Sequence, residues 1–140
     1  MEPTKRRRPG FADRAEALAN YAAKSPMNEF DPEVLAAYVE HGFVDDGDRV
    51  RLKCLPANEA RMYVSSVRAD VYQALAAVTC PVLVVRGRVG GGPTEWWSRI
   101  AAALPDGRLE THDDLGHFGP LTHPERMAAS VQRWLGETRG

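Results

Sequence analysis

Pro81-Val82-Leu83-Val84-Val85 decides the fold. Five apolar residues without polar alternation, rich in β-branched side chains, predict a strand buried on both faces of a parallel sheet. A glycine-rich segment follows, Gly87-Arg88-Val89-Gly90-Gly91-Gly92. It sits between a strand and a helix start, with Arg86 and Arg88 near, where phosphate cradles occur. It matches neither G-x-x-x-x-G-K-[ST] nor G-x-G-x-x-G, so it reads as a flexible loop. From Pro93 or Thr94 the spacing predicts a helix with Trp97, Ile100, Ala101 and Leu104 on one face. Trp96 and Trp97 could line a substrate pocket, but of two adjacent helix positions one is normally core and the other exposed or semi-exposed, so neither is assigned a role. Asp106-Gly107 turns the chain into a second short strand, Arg108-Leu109-Glu110-Thr111-His112. The loop Asp113-Asp114-Leu115-Gly116-His117-Phe118-Gly119-Pro120 comes next. Pro124 then opens a last helix with Met127, Val131, Trp134 and Leu135 inward and Gly136 at its end. Strand, helix, strand, loop and helix make a right-handed parallel β-α-β unit with a closing helix.

Upstream of Cys80 the chain is mostly helical. Phe11 to Lys24 reads as a helix, with Asp13 and Glu16 spaced for a capping box and Ala15, Leu18, Ala19 and Ala22 as its apolar stripe. Ser25-Pro26 ends it. Asp31 caps the next helix, Pro32 takes its first position and Gly42 follows its end. Val34, Leu35, Tyr38 and Val39 form its inner face. Asp46-Gly47 marks a hairpin turn between Phe43-Val44 and the half-exposed arm Val50-Arg51-Leu52-Lys53-Cys54. Pro56 opens a helix to about Val64, with Ala60 and Tyr63 inward. Another is expected from Asp70 to Val78 on Val71, Leu75 and Val78. The expected organisation is a helical cap or lid over residues 1–78 and a β-α-β-α core segment over 79–140.

At 140 residues the chain can bury a core without disulfides or metals. Its net charge of −1 and 44% hydrophobic content argue against disorder and against nucleic-acid binding. Lys5-Arg6-Arg7-Arg8 has no second basic face or interleaved aromatics, and reads as a solvated basic loop. Cys54 and Cys80 make neither a disulfide scaffold nor a zinc motif. No apolar run reaches the length of a membrane span, and no h-region follows the N-terminal charge. The expectation is a soluble cytoplasmic protein with no membrane partner.

His117 is the residue most suited to chemistry. It lies on a loop past the end of a parallel strand, the edge where open α/β sheets bind ligands. Gly116 and Gly119 let a substrate approach, and histidine exchanges protons near neutral pH. A surface or helix-capping histidine is the plain alternative. His112, Asp113, Asp114, His117 and His123 do not have the spacing of a closed metal site, so no metal or cofactor is assigned and a metal site stands only as the lesser alternative.

Residues 80–140 resemble the C-terminal segment of α/β-hydrolases. "CPVLVVRG" at 80–87 resembles the penultimate core strand. "DDLGHFGPLTHPERMAASVQRWL" at 113–135 resembles the last loop, with its catalytic histidine, and the closing helix. The upstream helices resemble the cap that such enzymes insert. The resemblance implies a partial α/β-hydrolase fold, with His117 as general base for an ester or acyl substrate.

Two features depart from that pattern. The family's serine sits on a G-x-S-x-G elbow before the cap. None occurs here, and Ser25, Ser65, Ser66, Ser98 and Ser130 lack flanking glycines. The acid usually follows the strand ending near Arg86, yet residues 87–94 hold no carboxylate. Glu95 is the nearest, at a place that suits a first helical turn; some members carry the acid after an earlier strand. The expectation is therefore a portion of an esterase- or lipase-like hydrolase, inactive without its nucleophile half. The alternative is a non-catalytic remnant or binding module. A two-stranded sheet with an apolar open edge is expected to self-associate or pair with another chain.

Overall fold

The computed structural model describes residues 7–68, 71–89 and 93–138. They form two compact units, divided between residues 69 and 70.

The first unit contains β1 (Gly10–Phe11), α1 (Arg14–Ala22), a 3-10 turn (Met27–Glu29), α2 (Pro32–Gly42), β2 (Phe43–Asp46), β3 (Arg49–Leu52) and α3 (Pro56–Arg68). Local chemistry sets several boundaries. Asp31 Oδ1 accepts from the Glu33 and Val34 N–H groups at 2.9 and 3.2 Å, and Pro32 opens α2. Leu35 and Val39 are buried and Val34 and Tyr38 half-buried, the face expected from spacing. The hairpin closes on Asp46↔Arg49, with Gly47 at φ 67° and Asp48 at negative φ. That pattern fits a type II′ turn, which needs glycine at its first central position.

α1 begins at Arg14 rather than Phe11. Gly10 and Phe11 pair antiparallel with Arg51 and Val50, giving the sheet order β1-β3-β2. A two-residue strand has no periodicity to read. The Glu16 N–H donates to Asp13 Oδ1 at 2.8 Å, while the Glu16 carboxylate reaches the Ala12 N–H. The buried face of α1 is Ala17 and Tyr21; Ala15, Ala19 and Ala22 are exposed. Tyr21 sets that phase by packing against Phe11, Tyr38 and Phe43, with ring centroids 5.8, 5.8 and 6.1 Å away. One such ring buries far more area than any single alanine.

In α3 the inner stripe is Pro56, Ala60 and Val64, and Tyr63, off that stripe, is exposed. The helix also runs on to Arg68. Arg7 is half-buried and engaged rather than solvated, while Arg8 stays exposed. Arg7 donates to Glu59 Oε2 and to the Tyr38 hydroxyl, each at 2.8 Å. Arg8 pairs with Glu16 and lies over the Phe11 ring. Lys5 and Arg6 lie outside the described residues.

The second unit contains a 3-10 helix (Tyr72–Ala77), β4 (Val82–Val89), α4 (Thr94–Ala103), β5 (Gly107–Gly116), a one-turn helix α5 (Gly119–Thr122) and α6 (Pro124–Thr138). The helix expected over 70–78 is this 3-10 segment. At three residues per turn Leu75 and Val78 share an edge and are half-buried, while Val71 falls off it and is exposed. Asp70 and Gly90 to Gly92 lie outside the described residues.

β4 and β5 pair in parallel from Val82↔Gly107 to Gly87↔His112, with α4 between them in sequence. Ala101 and Leu104 of α4 are buried. Trp97 and Ile100 are half-buried and Trp96 is exposed. Residues 82–85 are half-buried rather than enclosed, since the described sheet has only two strands and covers neither face fully. β5 extends past His112 to Gly116, where it pairs with Val89 after a break in register. Four steps along β5 match two along β4, a bulge that re-aims the strand end.

The inner face of α6 is Met127, Ser130 and Trp134, and Val131 and Leu135 are exposed. Ser130 sets this phase through hydrogen bonds to β5, and Gly136 is an interior helix position. Among the described residues no helix is long and apolar enough to cross a membrane.

Candidate active site

The bulged end of β5 folds closely over Gly87. A Cβ on Gly87 would overlap the carbonyl oxygens of Leu115 and Gly116 and lie 2.8 Å from the Leu115 carbonyl carbon. Only a residue without a side chain fits there. The approach brings β5 to its end directly beside β4, and His117 is the next residue.

A cavity of about 190 Å³ opens at this end of the strand pair. β4 contributes Val85, Arg86 and Gly87, and β5 with the turn after it contributes His112, Leu115, Gly116 and His117. Trp97, Gly119, Pro120 and Met127 complete the lining. Its ionisable members are Arg86, His112 and His117; no carboxylate lines it.

The His117 side chain is exposed at the cavity mouth. Its ring stands edge-on to Phe118, with centroids 5.0 Å apart. Among the described residues no hydrogen bond holds its nitrogens, which leaves both open to a proton donor or acceptor. The turn behind it is firm. The Phe118 carbonyl accepts from the Leu121 and Thr122 N–H groups at 2.8 and 2.9 Å, which starts α5.

The nearby carboxylates are engaged elsewhere. Arg126 grips Asp114 with two bonds of 2.7 and 3.1 Å, which hold the Asp114 carboxyl down at about 2. Asp113 pairs with Arg88 at 3.3 Å. Glu95 is exposed in the first turn of α4 and does not line the cavity. His123 Nδ1 meets the Thr122 hydroxyl at 2.8 Å.

One serine does meet a histidine and a carboxylate. Ser130 Oγ donates to Glu110 Oε1 at 2.7 Å and lies 3.2 Å from His112 Nε2. That same Nε2 is 3.1 Å from Glu110 Oε1. A catalytic relay needs the serine on one ring nitrogen and the carboxylate on the other. Here one nitrogen faces both, Ser130 is 2% exposed, and Arg133 also binds Glu110 at 2.7 Å. The cluster pins α6 to β5. The Ser130 bond is the leading cause that draws the Glu110 carboxyl below its usual range, with Arg133 adding to it.

Arg86, which the sequence places only beside a glycine-rich loop that fits no phosphate motif, is a site residue here. It is 4% exposed; its Nε makes a long bond to the Gly87 carbonyl at 3.4 Å, and its Nη1 is buried without a partner. The readable signal was a charge following four strand residues and preceding a glycine.

No protein-family model and no curated protein matches this sequence. Solved structures do. An E-2-(acetamidomethylene)succinate hydrolase matches 91% of the chain with a TM-score of 0.73 at 20% identity. A peroxisomal alpha-beta-hydrolase from Saccharomyces cerevisiae matches 98% with a TM-score of 0.79 at 13% identity. This chain carries part of the α/β-hydrolase fold. A thermophilic esterase from Thermogutta terrifontis, solved with malate bound, matches 97% with a TM-score of 0.57 at 23% identity. The chain spans 47%, 38% and 47% of those three chains, less than half of each. The α/β-hydrolase fold accounts for the parallel pair, the helix between its strands and the closing helix α6.

Proposed function

We propose that this chain is the C-terminal portion of a serine esterase-like hydrolase, with His117 as its general base. His117 takes the proton of a serine hydroxyl as that oxygen attacks the acyl carbonyl, then returns it to the departing alcohol. The serine comes from polypeptide outside these 140 residues, which contain no G-x-S-x-G. One observation carries this reading: an exposed imidazole free of hydrogen bonds among the described residues, at the mouth of a cavity beside the carboxyl ends of two parallel strands. The names of two similar structures, one hydrolysing a succinate derivative and one holding malate, support a small acyl substrate that bears a carboxylate.

The test begins with the in-frame DNA upstream of Met1. It is expected to encode a strand-flanked G-x-S-x-G; unrelated sequence there defeats the hydrolase reading. The joined polypeptide is then assayed on p-nitrophenyl acetate. His117→Gln is expected to lower kcat at least about 10³-fold, and unchanged turnover overturns the role of His117. A second reading, a non-catalytic chain that binds another chain, is favoured by the half-exposed apolar strand 82–85. Ester hydrolysis by the 140-residue chain alone defeats it.

A further inference from the structure

Arg86 carries a buried charge that the described residues leave uncompensated. It is 4% exposed, yet no carboxylate among them pairs with it, and Nη1 has no hydrogen-bond partner. A buried ion in that state is costly unless a counter-charge arrives. The neighbouring acids are already committed: Asp113 to Arg88, Asp114 to Arg126, and Glu110 to Ser130 and Arg133.

Arg86 also lines the cavity that His117 borders, and every ionisable side chain on that lining is a base. With no carboxylate on the lining, the guanidinium of Arg86 is its fixed charge, and that favours an anion. A guanidinium is a planar fork matched to the two oxygens of a carboxylate. At about 190 Å³ the space is smaller than the ~300–1,000 Å³ of drug-sized pockets, which fits a small acid.

We propose that Arg86 receives the carboxylate of a small organic acid in this cavity. Nη1 is shielded, so the guanidinium turns toward the space it already lines as the carboxylate enters. Assigning that carboxylate to the substrate rests on the hydrolase reading; the binding itself does not.

The test titrates the whole 140-residue chain with succinate and, separately, with succinamide, its neutral counterpart. NMR follows the imidazole signals of His112 and His117 and the indole of Trp97. Succinate is expected to give saturable shifts and succinamide none. Arg86→Gln is expected to weaken succinate binding at least about tenfold, the loss of one charged hydrogen-bonding partner. Arg86→Lys, which keeps the charge without the fork, is expected to fall between. Absence of saturable shifts with succinate overturns the proposal, as do equal shifts from the two ligands in the native protein. Binding by Arg86→Gln as tight as native does so too. Ester turnover does not enter the readout, so the two proposals fail independently.

Discussion

Ser130 on α6 and Glu110 on β5 share a 2.7 Å hydrogen bond that fixes which face of α6 is buried. Ser130→Ala removes the donor and leaves Glu110 and His112 facing an inert methyl. A lost bond to a charged, largely buried acceptor costs about 1–3 kcal/mol. Urea unfolding is expected to show that loss as a lower midpoint with unchanged slope. The same geometry makes Ser130 inert as a nucleophile. A serine-reactive fluorophosphonate is expected to leave Ser130 of the native chain unlabelled; labelling there defeats the structural role.

Gly87 is the contact on which the position of His117 depends. Gly87→Ala forces a methyl against the backbone of Leu115 and Gly116. Backbone cannot yield as a side-chain tip does, so the end of β5 must shift. Overpacking of this kind costs about 1–3 kcal/mol. The expected outcome is a lower melting temperature together with displaced amide signals from Leu115 to Phe118. A melt and spectrum like those of the native protein are the contrary result.

Asp114 supplies a pH test with a definite sign. Arg126 holds its carboxyl at about 2, below the ordinary aspartate value. A depressed carboxyl stabilises the fold above its unfolded pKa of about 3.9 and loses that contribution as pH falls through the folded value. The window is therefore about pH 4 down to about 2. Both partners are exposed, so salt weakens the pair. Following the Asp114 carboxyl carbon by NMR is expected to give a midpoint near 2, rising toward about 3.9 in Arg126→Gln. Equal midpoints in the two proteins contradict the assignment.

Features set by neighbours in sequence were legible; features set by distant partners were not. Asp31-Pro32 and the Gly47 turn depend on one or two adjacent residues, and they stand where their chemistry puts them. The parallel pair was readable from the apolar run at 82–85 together with the loop around His117. The phase of α1 was not, because Tyr21 is held by rings from Phe11 and Phe43. The phase of α6 was misplaced for a like reason, since a serine bonded across to β5 outweighs Val131 and Leu135. Arg7 looked solvated because Glu59 and Tyr38 are far away in sequence. Arg86 reads in the sequence only as a charge beside a glycine-rich loop that fits no phosphate motif, and its burial emerges only in three dimensions.

Strand pairing gives the last prediction. Among the described residues β4 and β5 pair only with each other, so each keeps one edge of backbone donors and acceptors without a strand neighbour. Val82 to Val85 are half-buried, and Val131 and Leu135 of α6 are exposed. Open strand edges beside apolar surface recruit other strands unless charge, proline or a covering element blocks them. Two-stranded sheets are also marginal by themselves. The isolated 140-residue chain is therefore expected to self-associate, with a weight-average mass above the monomer value that rises with concentration in sedimentation velocity. Covering the edge removes the cause, so on the proposed reading a chain that supplies the nucleophile half is expected to return the protein to one defined species. A monomer at every concentration, melting sharply and cooperatively without that addition, would show that the two strands suffice.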